Sequence, residues 1–180
     1  MALTGYTRSC DSFSAGVKEL YLIPKSDVTS FTLASDGSYS TATLATGKVW
    51  TKFEFEPHQC EWKPEGEVAD NGVYVEKNTI EAYFSKLSQS LRDAIQSVVD
   101  ASPCGMYAVV KEYNDSAISG ADRQWLIGYN EKDGTGEPVR MKTDAGTTGK
   151  SKTDNNGTTL TLYCEMSEKA REITADIITA

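Results

Sequence analysis

The run Gly157–Met166, GTTLTLYCEM, alternates without a break. Leu160, Leu162, Cys164 and Met166 fall on one side, and Thr159, Thr161, Tyr163 and Glu165 on the other. Successive side chains of an extended strand point to opposite faces, so a period of two means a strand with one face on a core. Such a strand needs sheet partners, and the chain supplies candidates. VKELYLIP (Val17–Pro24) is rich in strand-favouring residues and closes on Pro24. DVTSFTLA follows, with Val28, Phe31 and Leu33, then the Thr-rich SYSTATLATGKVW, which suits either a strand or a surface hairpin. In VWTKFEFEPHQCEW, Thr51, Phe53 and Phe55 share one face, while Trp50, Lys52, Glu54 and Glu56 share the other. This predicts a half-buried strand that Pro57 interrupts. EGEVADNGVYVEK suggests a loop, an Asn71-Gly72 turn and a short strand from Val73. GMYAVVKEY, RQWLIGYN and a weaker PVRMK complete the set, with a turn expected at Asp133-Gly134-Thr135-Gly136.

One segment has helical spacing. Ile80, Tyr83, Phe84, Leu87, Leu91, Ala94, Ile95 and Val98 recur at steps of three and four, which predicts a helix over about 78–101. Asn78 with Glu81 three residues on has the form of a capping box, and Ser102-Pro103 with Gly105 supplies the stop. About eight strands around one mid-chain helix indicate an α+β domain: a mostly antiparallel β-barrel or sandwich with the helix packed on it. A parallel βαβ repeat is excluded, because one helix cannot supply several crossovers. At 180 residues the chain is expected to form a single domain over 1–180 with extended N- and C-terminal arms. The tail SEKAREITADIITA suits either a short helix or an extended arm.

Charge and cysteine content narrow the function classes. Net charge is −8, with 26 acids against 18 bases and no basic run. Tracking phosphates needs clustered Lys and Arg, so tight nucleic-acid binding is not expected. The four cysteines (Cys10, Cys60, Cys104, Cys164) are widely spaced without a C-x-x-C, and are expected to be free, mostly buried thiols. The start MALTGYTRSCDSFSAG lacks the basic end and apolar centre of a signal peptide, and no apolar run nears the ~20 residues of a membrane span. The expectation is a soluble protein made in a cytoplasm, whose sequons at Asn114 and Asn156 are chance matches.

Motifs that would carry chemistry fail on spacing or context. Gly149-Lys150-Ser151 ends like a P-loop, but five residues before Gly149 stands Asp144, and a turn and strand follow instead of a helix. A calcium loop begun at Asp154 has Thr159 where Gly is needed, although Glu165 falls at the twelfth position. Asn156-Gly157 is instead a hairpin-turn signal, which would place Lys150 and Lys152 on the solvent face of the incoming strand. His58 is the lone histidine, so any nucleophile–base pair must use it, and Cys60 is its nearest thiol. The expectation is a partly exposed, inert His58. Glu54 and Glu56 are expected on a solvated face. No catalytic residue, cofactor or metal ligand is assigned.

Trp50 falls on the charged face of its strand, and Trp62 lies in a Glu/Lys-flanked segment. Both are candidates for a subunit interface, against the alternative of core packing. The order GVKELYLIPKSDVTSF, FEFEP, NGVYVEKNTIEAYFSKLSQSLRDAI, CGMYAVVKEYND, WLIGYNE, PVRMKTDAGTTGKSKTDNNGTTLTLYCEM and EKAREI resembles virion structural proteins of tailed phages of Bacteroidetes-type hosts, of the tail-tube kind. The resemblance spans nearly the whole chain and rests on strand and turn order, with no diagnostic motif. It implies a non-enzymatic subunit that assembles in the host cytoplasm into rings, hexameric ones among the options. The rings stack in the virion as a tail tube through which DNA passes, in contact with other tail or connector proteins. It also implies loops that bond the next ring: Ser35–Gly47 and Thr143–Lys152 are the candidates, with Thr147, Lys150 and Lys152 as contacts. A head–tail joining ring is the alternative within that class, and a secreted or surface binding module the alternative outside it.

Overall fold

The computed structural model describes residues 15–131 and 137–179. The expected N-terminal arm, Cys10 and the Asp133–Gly136 turn lie outside them. The strands are β1 (Val17–Pro24), β2 (Val28–Leu33), β3 (Tyr39–Leu44), β4 (Thr51–Phe53), β5 (Cys60–Val68) and β6 (Tyr74–Ser85). The helix α1 (Gln89–Ala101) follows. Then come β7 (Met106–Asp115), β8 (Asp122–Ile127), β9 (Arg140–Thr147), β10 (Gly157–Met166) and β11 (Arg171–Glu172). They form a five-stranded sheet in the order β11-β8-β7-β1-β4, a four-stranded sheet β5-β6-β10-β9 and a hairpin β2-β3. Every pairing within these sheets is antiparallel. The fold is therefore the mostly antiparallel β protein with one helix that the sequence predicts, as an open sandwich with no closed barrel.

Two apolar layers hold it together. Between the large sheets lie Leu20, Leu22, Ala108, Val110 and Ile127 from one side and Ile80, Ala82, Phe84, Leu160, Leu162 and Met166 from the other, joined by Val98 of α1. On the far face of the five-stranded sheet, Tyr21, Ile23, Tyr107, Val109 and Leu126 are covered by Phe31 and Tyr39 of the hairpin, by Trp50, and by Ile173 and Ala175. A sheet covered on both faces needs strands that are apolar on both, which is why Leu20–Ile23 and Met106–Val110 are continuously buried. In β10 the alternation holds: Leu160, Leu162, Cys164 and Met166 are buried while their neighbours stay partly or fully exposed.

The helix is shorter than expected. Residues 74–85 are the central strand β6, paired on one side with β5 (Trp62↔Ile80) and on the other with β10 (Leu162↔Ile80). Ile80, Tyr83 and Phe84 satisfy a helical stripe, but Ile80, Ala82 and Phe84 equally satisfy a period of two, and they are the buried set. Strand-favouring Thr79, Ile80, Tyr83 and Phe84, with a ladder available on both flanks, decide for the strand. Asn78 caps nothing. It is buried in the sheet, where its Oδ1 accepts the Trp62 indole N–H at 2.9 Å. Lys86 turns the chain with φ +60°, and Ser88 is the real N-cap, its Oγ accepting from the Leu91 amide at 3.2 Å.

Three other expectations change. The strand expected over Trp50–Glu56 is regular only at Thr51–Phe53, so Glu54 and Glu56 lie beyond its end. The Ser35–Gly47 stretch is no protruding loop, since it holds β3 of the hairpin, whose Tyr39 is 1% exposed against the five-stranded sheet. The tail is extended, but it lies along its own domain. β11 pairs with β8, Ile173 bridges to Tyr39, and Thr179 bridges to Trp50.

Candidate assembly surfaces

Thr148–Asn156 is the connection between β9 and β10, and it is longer than the hairpin that Asn156-Gly157 predicts. Gly157 makes no turn: it is the first residue of β10, where a Cβ would stand 2.3 Å from the Phe84 carbonyl oxygen. Asn156 instead fixes the β6–α1 junction, accepting from the Leu87 amide through Oδ1 at 3.0 Å and from the Lys86 amide through its carbonyl at 2.7 Å. The Gly149-Lys150-Ser151 turn does present amides as an anion-binding loop would. The anion is the chain's own Asp154, whose Oδ2 accepts from Lys150 N at 2.7 Å and Ser151 N at 2.8 Å. These bonds, led by that from the Ser151 hydroxyl, hold the Asp154 carboxyl below its ordinary value. Lys150 and Lys152 are therefore exposed on a loop braced from inside, and not on a strand face. Thr147 ends β9, where its Oγ1 accepts from the Gly149 amide at 3.1 Å, and it borders a groove of about 530 Å³ against Arg92 and Ile95 of α1. The structure thus gathers Thr147, Lys150 and Lys152 at one end of the four-stranded sheet.

Trp62 lies toward the other end. On the Cys60 side of β5, Trp62, Pro64 and Gly66 alternate opposite Ile80, Asn78 and Glu76 of β6, and Tyr74 follows one step on, opposite Val68. With Trp125 of β8 and Ala170 they line a recess of about 430 Å³. The Trp62 and Trp125 rings lie 5.5 Å apart at 45°. Tyr74 reaches across Gly66, where a Cβ would meet its hydroxyl at 2.4 Å, and donates to Glu76 Oε2 at 3.0 Å. Glu76 Oε1 accepts from the Ala170 amide at 3.0 Å. The carboxylate is 5% exposed, and among the described residues no Lys or Arg pairs with it. Sequence reasoning missed Tyr74, Glu76 and Trp125 here. Tyr74 and Glu76 fall in the short strand expected from Val73, and the signal that it runs on to Ser85 was the period of two up to Phe84, where the helical reading took over. The nearby β5–β6 tip exposes Val68 and Val73, at 67% and 51%.

Trp50 is not at the surface. It is 1% exposed in the outer apolar layer, its amide donating to the Ile178 carbonyl at 2.9 Å. His58 is exposed at φ +62° and stacks on Tyr113, centroids 5.6 Å apart. Cys60 points into the core, where burial pushes its thiol up to about 12. The two thus face different environments and make no nucleophile–base pair. Of the described thiols, Cys60 and Cys164 are buried and Cys104 exposed, and all three are free. Comparison with protein-family models, curated proteins and solved structures finds no match to this chain.

Proposed function

We propose that the chain is a structural subunit of a phage tail tube, which closes side by side into rings that stack around a channel for DNA. One observation carries this reading beyond the resemblance in strand order. Among the described residues the four-stranded sheet β5-β6-β10-β9 is open at both edges, and β5 and β9 are long and mostly exposed. An unpaired edge is a template for another strand. Two such edges on one sheet let each copy meet a neighbour on either side, as a closed ring requires. Pro64 on β5 leaves that edge one amide short, so side-chain contacts must share in any such joint. The net charge of −8 suits a channel that passes DNA without holding it. Electron microscopy of the purified protein tests the proposal: tubes or stacked rings are expected. Single closed rings would favour a head–tail joining role, and a stable monomer at high concentration would overturn both.

A further inference from the structure

The Glu76 recess presents an electrostatic problem that the described residues leave open. A buried carboxylate is costly unless a counter-charge or several hydrogen bonds compensate it. Among the described residues Glu76 receives two bonds, from Tyr74 and Ala170, and no cation. The rings beside it are fixed from behind: Trp62 Nε1 donates to Asn78 at 2.9 Å and Trp125 Nε1 to Glu112 at 3.0 Å. Both N–H groups being engaged, what the indoles offer the recess is aromatic carbon. Aromatic rings together with a carboxylate are the chemistry that holds an ammonium group. Lys169 sits at the rim, exposed, and makes no ion pair with Glu76.

Two exposed lysines stand on one loop at the far end of the same sheet. Glu76 is opposite Met166 in the ladder, and Ser85 is opposite Gly157, where the Lys150/Lys152 loop ends. At ~3.3 Å per residue the two ends are roughly 30 Å apart. Neither lysine pairs with a carboxylate among the described residues. Donor and acceptor at opposite ends of one sheet cannot meet within one chain. They can meet head to tail between two copies, and such a contact repeats from copy to copy, into a ring where the rotation closes and a filament where it does not.

We propose that the Trp62–Trp125–Glu76 recess receives a lysine of the Thr148–Asn156 loop, Lys150 or Lys152, from a second copy of this chain, so that copies join end to end along the strand direction. The inference rests on the reading that copies assemble, but not on their forming a ring. Association is measured by sedimentation on the full chain and on Lys150→Ala/Lys152→Ala, two changes at exposed positions that are expected to leave the circular dichroism spectrum as it was. The double variant is expected to associate at least tenfold more weakly. Nα-acetyl-lysine amide titrated into it is expected to change tryptophan emission, and adding Glu76→Gln is expected to abolish that response. Carbodiimide coupling of the parent should join Glu76 to Lys150 or Lys152 between copies. Equal association of parent and double variant would overturn the proposal, as would a silent lysine probe or a parent that stays monomeric. Tubes that survive the loop variant would sink the recess and leave the tail-tube reading standing. Loop-dependent chains of copies without rings would do the reverse.

Discussion

Gly157 is a residue whose value lies in what it lacks. Any Cβ there would press on the Phe84 carbonyl oxygen and on the Tyr83 ring, 2.3 and 2.7 Å away, and the carbonyl belongs to the central strand of its sheet. Backbone in a paired ladder cannot step aside, so Gly157→Ala is expected to cost about 1–3 kcal/mol, as overpacking of a tight interior does. Gly66→Ala meets only the tip of Tyr74, a side chain that can swing outward, and should cost less. Urea midpoints of the two variants give the order, and equal costs would refute it. Glu19 offers a second single-residue test. Burial is the largest influence on its carboxyl and pushes it up, but hydrogen bonds from Lys52, Tyr21 and Lys111 together outweigh it and hold the group at about 2, against an ordinary 4.5. A folded value below the unfolded one means that the stabilisation is present above about pH 4.5 and lost as pH falls toward 2. Glu19→Gln is therefore expected to flatten the decline in stability between pH 5 and 3. Some slope will remain, because Asp122, linked through Lys111, is also held below its ordinary value. An unaltered slope would show that Glu19 contributes nothing to it.

The strand-to-helix boundary is where element-level reasoning succeeds and fails within a few residues. α1 was legible from Leu91, Ile95 and Val98, whose three- and four-residue steps have no competing explanation. Ile80 to Phe84 was not, because a short apolar run fits both periods, and only the pairing of β6 on both flanks decides between them. The cap follows the same logic. Asn78 and Glu81 have capping chemistry at the right spacing, but Asn78 is held in the sheet by Trp62, and Ser88 does the capping. Ser88→Ala is accordingly expected to destabilise the fold by about 1 kcal/mol. Glu81→Ala, on an exposed strand position, should change it by less than about 0.5 kcal/mol. Chemical denaturation of both variants separates the assignments. If Glu81→Ala were the costlier, the helix would have to begin at Asn78. β5 shows another limit of local reading: Pro64, Gly66 and its charged residues look like a loop, yet they suit a one-sided edge strand.

At the scale of the whole molecule, what the sequence could not convey is which face of each element is covered, and by what. β1 and β7 announce cover on both faces through their unbroken apolar runs, and Trp50 opposite Phe53 does the same for β4. The cover itself comes from distant segments, the β2–β3 hairpin and the chain after Arg171, so no local pattern names it. The C-terminal strap ties three places together: β11 pairs with β8, the Thr174 amide donates to the Tyr39 carbonyl at 2.8 Å, and Trp50 bonds to Ile178. Ile173 is 2% exposed beneath it. If the tail were an arm for a neighbouring subunit, trimming it would weaken assembly and leave the monomer's stability unchanged. If it is part of the outer core, as its burial indicates, Ile173→Ala should cost the monomer about 2–5 kcal/mol by opening a cavity. Removal of residues 173–180 should also uncover Trp50. With Trp62→Phe and Trp125→Phe in the background, Trp50 is the sole remaining reporter of the 3 tryptophans. Its emission should then shift to the red on truncation under native conditions. A blue, unshifted emission together with an unchanged urea midpoint would mean that the sandwich stands without its strap and that the tail is free to serve another copy.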